Sequence, residues 1–393
     1  MAPDHGRVHA LIVGISAYPH LTEGAPTDGP TLGLRSLQSA ARAAFCVHEW
    51  IAGHGFAGRA PGDLQLLVAP SELEAAEEPA VATATSPCTW KAVAHAANHW
   101  REVASEDSDD VALFYFAGHG LQRGRGDHVL LLEDFGDGEG AHLHRAVDSD
   151  TLIGGMTVAE ERPNMARLQF YVFDACRDTH KTLTDRYEKT DVTPLWDVPK
   201  VENVDRAARR TSVLYTAGDG MLAYGIAGHQ SIFSEALLAC LGGSAACAYD
   251  DEYGERRWHV TGTSLQRGLN SVVDRLNADY GTQQRFEIRD GSGELVLNEL
   301  SAPPPAQLRV SVTPEEAVDW AAVDIVESDT ATTIFSTASP FHPHPFSKEV
   351  PAGYYDAHIA VSPPDDRPHT RRRAKLVEPP ATDFVIQAAT PAA

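Results

Sequence analysis

The chain has 393 residues, a formal net charge of −23 and a hydrophobic fraction of 43%. Such a charge speaks against a nucleic-acid-binding surface, which needs basic patches, while the hydrophobic fraction is that of an ordinary globular protein. No apolar run approaches 18 residues, so no membrane-spanning helix is expected.

The N-terminal residues lack a basic region followed by an apolar stretch, and no signal peptide is expected. Cys46, Cys88, Cys176, Cys240 and Cys247 show neither a disulfide framework nor metal-ligand spacing. A cytoplasmic chain with reduced thiols, and no metal or cofactor, is the expectation.

Strand-like runs fall at 8–15, 64–69, 111–117, 128–133, 168–174 and 212–217. They alternate with helix-like runs at 34–52, 89–104, 149–160, 232–241 and 262–278. This alternation predicts an α/β architecture, a mostly parallel sheet flanked by helices. Residues 70–87, with Glu72, Glu74, Glu77 and Glu78, read as an acidic surface loop. Residues 134–148 are Gly- and Asp-rich, and Glu133, Asp134 and Asp137 read as a solvated turn rather than a calcium loop. Residues 178–210 carry many charges, two prolines and little apolar periodicity, which reads as a flexible linker. Pro303-Pro-Pro-Ala marks an interdomain linker. Beyond it, alternating runs at 307–312, 321–326 and 355–361 predict a small all-β sandwich. The expected domains are therefore 1–300 and 304–393. Arg371-Arg-Arg reads as a solvated strand edge.

Two segments carry chemistry. Val111-Ala-Leu-Phe-Tyr-Phe-Ala-Gly-His119-Gly120 is an apolar run ending in a Gly-flanked histidine, and Phe170-Tyr-Val-Phe-Asp174-Ala-Cys176-Arg177 is an apolar run ending in a cysteine. If the two strands are parallel neighbours, His119 and Cys176 emerge together at the carboxyl edge of the sheet, where open α/β folds bind ligands. A thiol beside an imidazole is an activated nucleophile. The bland alternative makes His119 a turn residue and Cys176 a small core residue.

At these residues the chain resembles the caspase and metacaspase family of cysteine peptidases, as a bacterial-type member. Val8–Ser16 resembles the family's first strand, Leu34–Phe56 its first helix, Thr211–Ala217 the strand that begins the small subunit, and Ser231–Leu238 the helix after it. The resemblance implies a caspase fold followed by the β-sandwich, and a cysteine endopeptidase acting on protein or peptide substrates through His119 and Cys176. It implies an oxyanion hole from the N–H groups of Gly120 and Cys176. Asp174, two positions before the cysteine, would line the specificity pocket and favour Arg or Lys; otherwise it caps the strand end by bonding neighbouring amides. A second pocket Asp expected around Ser39–Arg42 is missing. Asp219 would add negative charge to the pocket or serve a turn. Tyr224 and Gly225 stand where Asp-specific members carry an aromatic residue followed by Arg, so that Arg is absent, although Arg35 offers a cation for an acidic side chain.

The same resemblance implies a zymogen cut in the 178–210 linker, by itself or by an upstream protease. Candidate sites are Lys181, Arg186, Lys189, Lys200, Arg206, Arg209 and Arg210. It permits a role in a bacterial cell-death or anti-phage cascade. Nucleic-acid and membrane partners are not expected, and the oligomeric state stays open. The alternatives are a silent caspase-fold scaffold, an Asp-specific protease, another thiol hydrolase or acyltransferase, and a redox role for Cys176.

Overall fold

The computed structural model describes residues 6–21, 32–124, 127–137, 142–177, 192–197, 209–217, 223, 225–226, 228–289, 294–362 and 369–388. The first half runs β1 (Arg7–Ile15), α1 (Ala40–His54), β2 (Ala60–Ala69), α2 (Glu72–Glu77), α3 (Pro79–Thr83), α4 (Trp90–Val103), β3 (Val111–Gly118), β4 (Gly120–Gly124), β5 (Asp127–Leu131), β6 (Ala146–Asp148), α5 (Ser149–Gly155), β7 (Leu168–Ala175) and β8 (Arg210–Tyr215). Then follow α6 (Ile232–Ala239), β9 (Cys247–Asp250), β10 (Arg256–Thr261), α7 (Gly262–Tyr280), β11 (Glu287–Arg289) and β12 (Val296–Leu300). The chain divides into two compact units, Met1–Leu238 with Val273–Asn298, and Ala239–Val272 with Glu299–Ala393.

In the first unit, six strands form one sheet in the order β11-β8-β7-β3-β1-β2. The pairs β2–β1, β1–β3, β3–β7 and β7–β8 are parallel, and only β11 is antiparallel. Every residue of β3 is buried, as expected for a strand covered on both faces. Gly14 on β1 lets α1 approach: a Cβ there would stand 2.5 Å from the Ala44 methyl and 2.7 Å from the Ala40 carbonyl.

Helix α1 starts at Ala40, not at residue 34. Its free N–H groups are met from elsewhere in the chain: Ala40 and Ala41 donate to Ser16 Oγ at 3.0 and 3.1 Å, and Arg42 donates to the Glu74 carboxylate at 3.0 Å. Residues 34–39 stay outside the helix. The 70–87 segment is correspondingly not a loop. It holds α2 and α3, with Glu74 fully buried in a capping box with Ser71. Glu133 and Asp134 are likewise not simply solvated. Glu133 accepts the Cys88 N–H at 2.6 Å, and Asp134 accepts the Trp90 N–H at 3.0 Å at the start of α4. A three-stranded sheet β4-β5-β6 also forms from residues that were not all read as strands. Helix α5 stops at Gly155, short of the expected residue 160.

The expected linker contains an anchor. Val192, Leu195 and Trp196 are buried in the main core of the unit. Trp196 donates from its indole nitrogen to the Thr151 carbonyl at 3.1 Å, with the Arg101 guanidinium 4.8 Å over its ring. The rest of 178–208 lies outside the described residues.

In the second unit, β9 and β10 pair as a hairpin. Strands β13 (Pro305–Thr313), β14 (Ala321–Glu327), β15 (Thr333–Thr337), β16 (Phe346–Pro351), β17 (Gly353–Val361), β18 (His369–Val377) and β19 (Ala381–Gln387) form two sheets, β16-β13-β19 and β15-β14-β17-β18. Alternate residues such as Leu308, Val310, Val323 and Ile325 are buried, and Phe335 of one sheet meets Phe346 of the other at 3.9 Å. This is the sandwich the alternation predicted. Arg371, Arg373 and Lys375 on β18 are not free at its edge: they donate to the carbonyls of Gln387, Val385 and Asp383 on β19.

Candidate active site

Register brings the two motifs together. The parallel pairing sets Ala117 beside Asp174 and Gly118 beside Ala175. His119 and Cys176 are the next residues of adjacent strands, so both leave the carboxyl edge of the sheet at one level. A cavity of about 530 Å³ opens there, lined by His119, Cys176, Asp174, Arg35, Ala223 and Ser231, among others.

His119 is held from both ends. Its backbone N–H donates to Tyr18 Oη at 2.9 Å, and the Tyr18 hydroxyl donates to the Leu131 carbonyl at 3.2 Å. The Tyr18 ring lies against the imidazole with centroids 4.9 Å apart. Nε2 sits 2.6 Å from the Arg35 carbonyl oxygen. A carbonyl only accepts, so Nε2 carries the proton and Nδ1 the lone pair. Burial lowers the His119 pKa to about 4, opposed in part by the Arg35 carbonyl. The imidazole is therefore neutral at pH 7.

Cys176 is a partly exposed thiol. Its sulfur accepts the Ala223 N–H at 3.2 Å, and its carbonyl accepts from His128 Nε2 at 3.1 Å. Gly120 begins β4 directly after His119. Leu131 donates to the His119 carbonyl at 2.9 Å, the flanking bond of a non-hydrogen-bonded pair between Gly120 and Leu130. That register leaves the Gly120 N–H off the ladder.

Asp174 is buried and accepts from Tyr115 Oη at 2.9 Å and from Ser231 Oγ. Its oxygen thus meets hydroxyls, not the neighbouring amides one alternative assigned to it. Burial raises its pKa, and these hydroxyls oppose the rise. At Ser39–Arg42, where a second pocket Asp was missing, other contacts stand. A Cβ on Gly225 would run into Ser39 Oγ. Arg42 donates to the Gly228 carbonyl and pairs with Glu77 at 2.9 Å, tying α1 and α2 to the loop before α6. Asp219 and Tyr224 lie outside the described residues. Among those described, no cluster of three or more His, Cys, Asp or Glu side chains is arranged to hold a metal ion, and no helix is long and apolar enough to cross a membrane.

Tyr18, His128 and Ser231 escaped the sequence reading, because each reaches the site from a distant or unremarkable stretch. Of these, only Ser231 carried a local signal, standing at the start of a helix.

A caspase-domain family model matches residues 7–285. With the sheet order and the paired His and Cys strands already in place, the chain belongs to the caspase-domain family, a family of cysteine peptidases. It is also 25% identical over 225 residues to an uncharacterized protein, y4kE, of Sinorhizobium fredii, a match covering 55% of this chain. The match spans 59% of the length of that relative.

Proposed function

We propose that this protein is a cytoplasmic cysteine endopeptidase that cleaves protein substrates with His119 as base and Cys176 as nucleophile. The observation that carries this reading is the β3–β7 register, which puts both residues at one sheet edge over one cavity. His119 Nδ1 takes the thiol proton, and the sulfur bonds to the scissile carbonyl carbon. The carbonyl π pair moves to oxygen, which the N–H groups of Gly120 and Cys176 receive. Losing one such donor costs about 3 kcal/mol in typical hydrolases. His119 then passes its proton to the departing amine, and water hydrolyses the thioester.

For specificity we favour Arg or Lys at the cleavage position, with Asp174 as the pocket carboxyl. An arriving guanidinium or ammonium would draw its burial-raised pKa back down and pair with it. Asp219 and Tyr224 belong to the same proposal. A second reading, cleavage after Asp, is favoured by Arg35, an exposed cation lining the same cavity.

Activation by cleavage in the 178–210 linker, by the protein itself or an upstream protease, completes the proposal. So does a place in a bacterial cell-death or anti-phage cascade; the family resemblance is its support. Within that linker Arg209 is a poor cut site. Its guanidinium donates to the Ile153 carbonyl at 3.0 Å and to Thr157 Oγ1 at 2.9 Å, and Arg210 already lies in β8.

Fluorogenic peptides with Arg, Lys or Asp at the scissile position, with Cys176→Ala as control, test the reading. Turnover that vanishes in the variant supports it. Silence toward all three, before and after limited proteolysis, would favour the scaffold alternative.

A further inference from the structure

We infer that His128 is a positioning residue that sets the two oxyanion-hole amides relative to each other. The inference rests on the peptidase reading above and names a residue that reading does not use.

Strand β4 starts at Gly120 and turns back into β5, pairing Gln122 with His128 and Gly120 with Leu130. Residues two apart share a strand face, so His128 falls on the same face as Gly120. From there its Nε2–H donates to the Cys176 carbonyl at 3.1 Å. The imidazole is buried and wedged edge-on against Phe173 and Tyr215, with centroids at 5.8 and 5.6 Å. A Cβ on residue 120 would stand 2.6 Å from His128 Nε2, 2.5 Å from the Cys176 oxygen and 2.8 Å from the Ala175 methyl. Gly120, His128 and the backbone of Cys176 therefore form one close-packed knot.

The consequence is geometric. One donor belongs to Gly120, on the hairpin that carries His128. The other belongs to Cys176, whose own carbonyl His128 grips. The ring is a strut between the hairpin that begins at Gly120 and the segment that leaves β7 at Cys176. Oxyanion donors act through fixed placement, and a misplacement of about 1 Å is worth up to 10²-fold in rate.

The test compares His128→Leu, which removes the donor, with His128→Gln, whose side-chain amide presents an N–H near the Nε2 position. Three readouts are taken on the full chain: kcat and KM for a cleaved peptide, the affinity of a peptide aldehyde, and the alkylation rate of Cys176 by iodoacetamide. The aldehyde forms a thiohemiacetal: sulfur bonds to carbon, and the carbonyl oxygen, after taking the electron pair and the thiol proton, occupies the hole. Alkylation expels iodide and makes no oxyanion.

For His128→Leu we expect kcat to fall about 10- to 100-fold, with KM within about 3-fold. Aldehyde affinity should fall in parallel, with alkylation within about 3-fold. His128→Gln should recover turnover to within about 5-fold of the parent. Unchanged kcat and aldehyde affinity in His128→Leu would overturn the inference. So would alkylation that falls as far as turnover, which would mean the thiol or the fold was hit. If His128→Leu does not fold, His128→Asn replaces it, because its amide is too short to reach. Equal activity of the Gln and Asn variants would then overturn the role. A parent that cleaves no peptide, with aldehyde affinity still following the predicted order, would overturn the peptidase reading and keep the role of His128.

Discussion

The imidazole of His119 spends its Nε2 proton on the backbone carbonyl of Arg35, at 2.6 Å. This contact, with the burial around it, sets the pH behaviour of the site. The folded pKa of about 4 lies below the usual 6.5, so the neutral, base-competent form persists well into the acid range. The acid limb of kcat/KM should fall near pH 4 to 5, and not near 6.5. The sign for stability follows from proton binding. The unfolded chain takes up this proton below about pH 6.5 and the folded chain only near 4. Stability is full above 6.5 and is lost as pH falls toward 4, by roughly 3 kcal/mol. Urea unfolding of the parent and His119→Gln across pH 4 to 7 checks this; parallel curves would refute it.

Asp174, which bears a carboxyl, and Arg35, which bears a guanidinium, line one cavity. Asp174→Asn should reduce turnover of Arg and Lys peptides by at least about 10-fold, the scale of a lost charge-assisted bond. It should leave any turnover of Asp peptides within about 3-fold. Arg35→Ala should show the reverse pattern if acidic residues are accepted. Kinetics on matched peptides separates the two, and loss of Arg turnover in Arg35→Ala alone would exclude Asp174 as the selecting group.

Trp196 fills the space above Gly155, where any Cβ would collide with the indole. Gly155→Ala should expel the ring although Ala favours a helix by up to about 1 kcal/mol over Gly. Net destabilisation by about 1–3 kcal/mol is expected. Hydrogen exchange at 192–197 should rise in step with Trp196→Ala, itself worth about 3–5 kcal/mol. Protection that stays at the parent level in Gly155→Ala would mean that this contact does not hold the segment.

In the second unit the basic run on β18 covers the carbonyls of β19, an edge strand paired on its other side with β13. Uncapped edges template pairing with other chains. Replacing Arg371, Arg373 and Lys375 together by Ser should produce concentration-dependent association, read by light scattering. Arg372→Ser should not, because that side chain pairs with Asp356 through two bonds, at 3.1 and 2.9 Å. A triple variant that stays monodisperse would refute the capping role.

Strand β3 was legible because eight consecutive buried residues need no partner to be recognised as apolar, and β7 for nearly the same reason. Their last residues then announced His119 and Cys176, since a strand's end is a property of the local sequence. Three of the sandwich strands, β13, β14 and β17, were legible through their alternation. Helix α1 was legible as a helix but not in its start, because Ser16 and Glu74, which meet its first N–H groups, are 24 and 32 residues away from their partners.

What the sequence by itself determined is thus most strands of the main sheet, its principal helices and the two residues at the tips of β3 and β7, through periodicities of two and 3.6 that a local window displays. The tertiary structure alone decided how those tips are held. Tyr18 reaches His119 across 101 residues, the Arg35 carbonyl across 84 and His128 reaches Cys176 across 48, while Trp196 is buried within a charged stretch. Each is a single contact between positions whose separation follows no period. Such contacts depend on strand order and register, which the packing of the whole sheet settles.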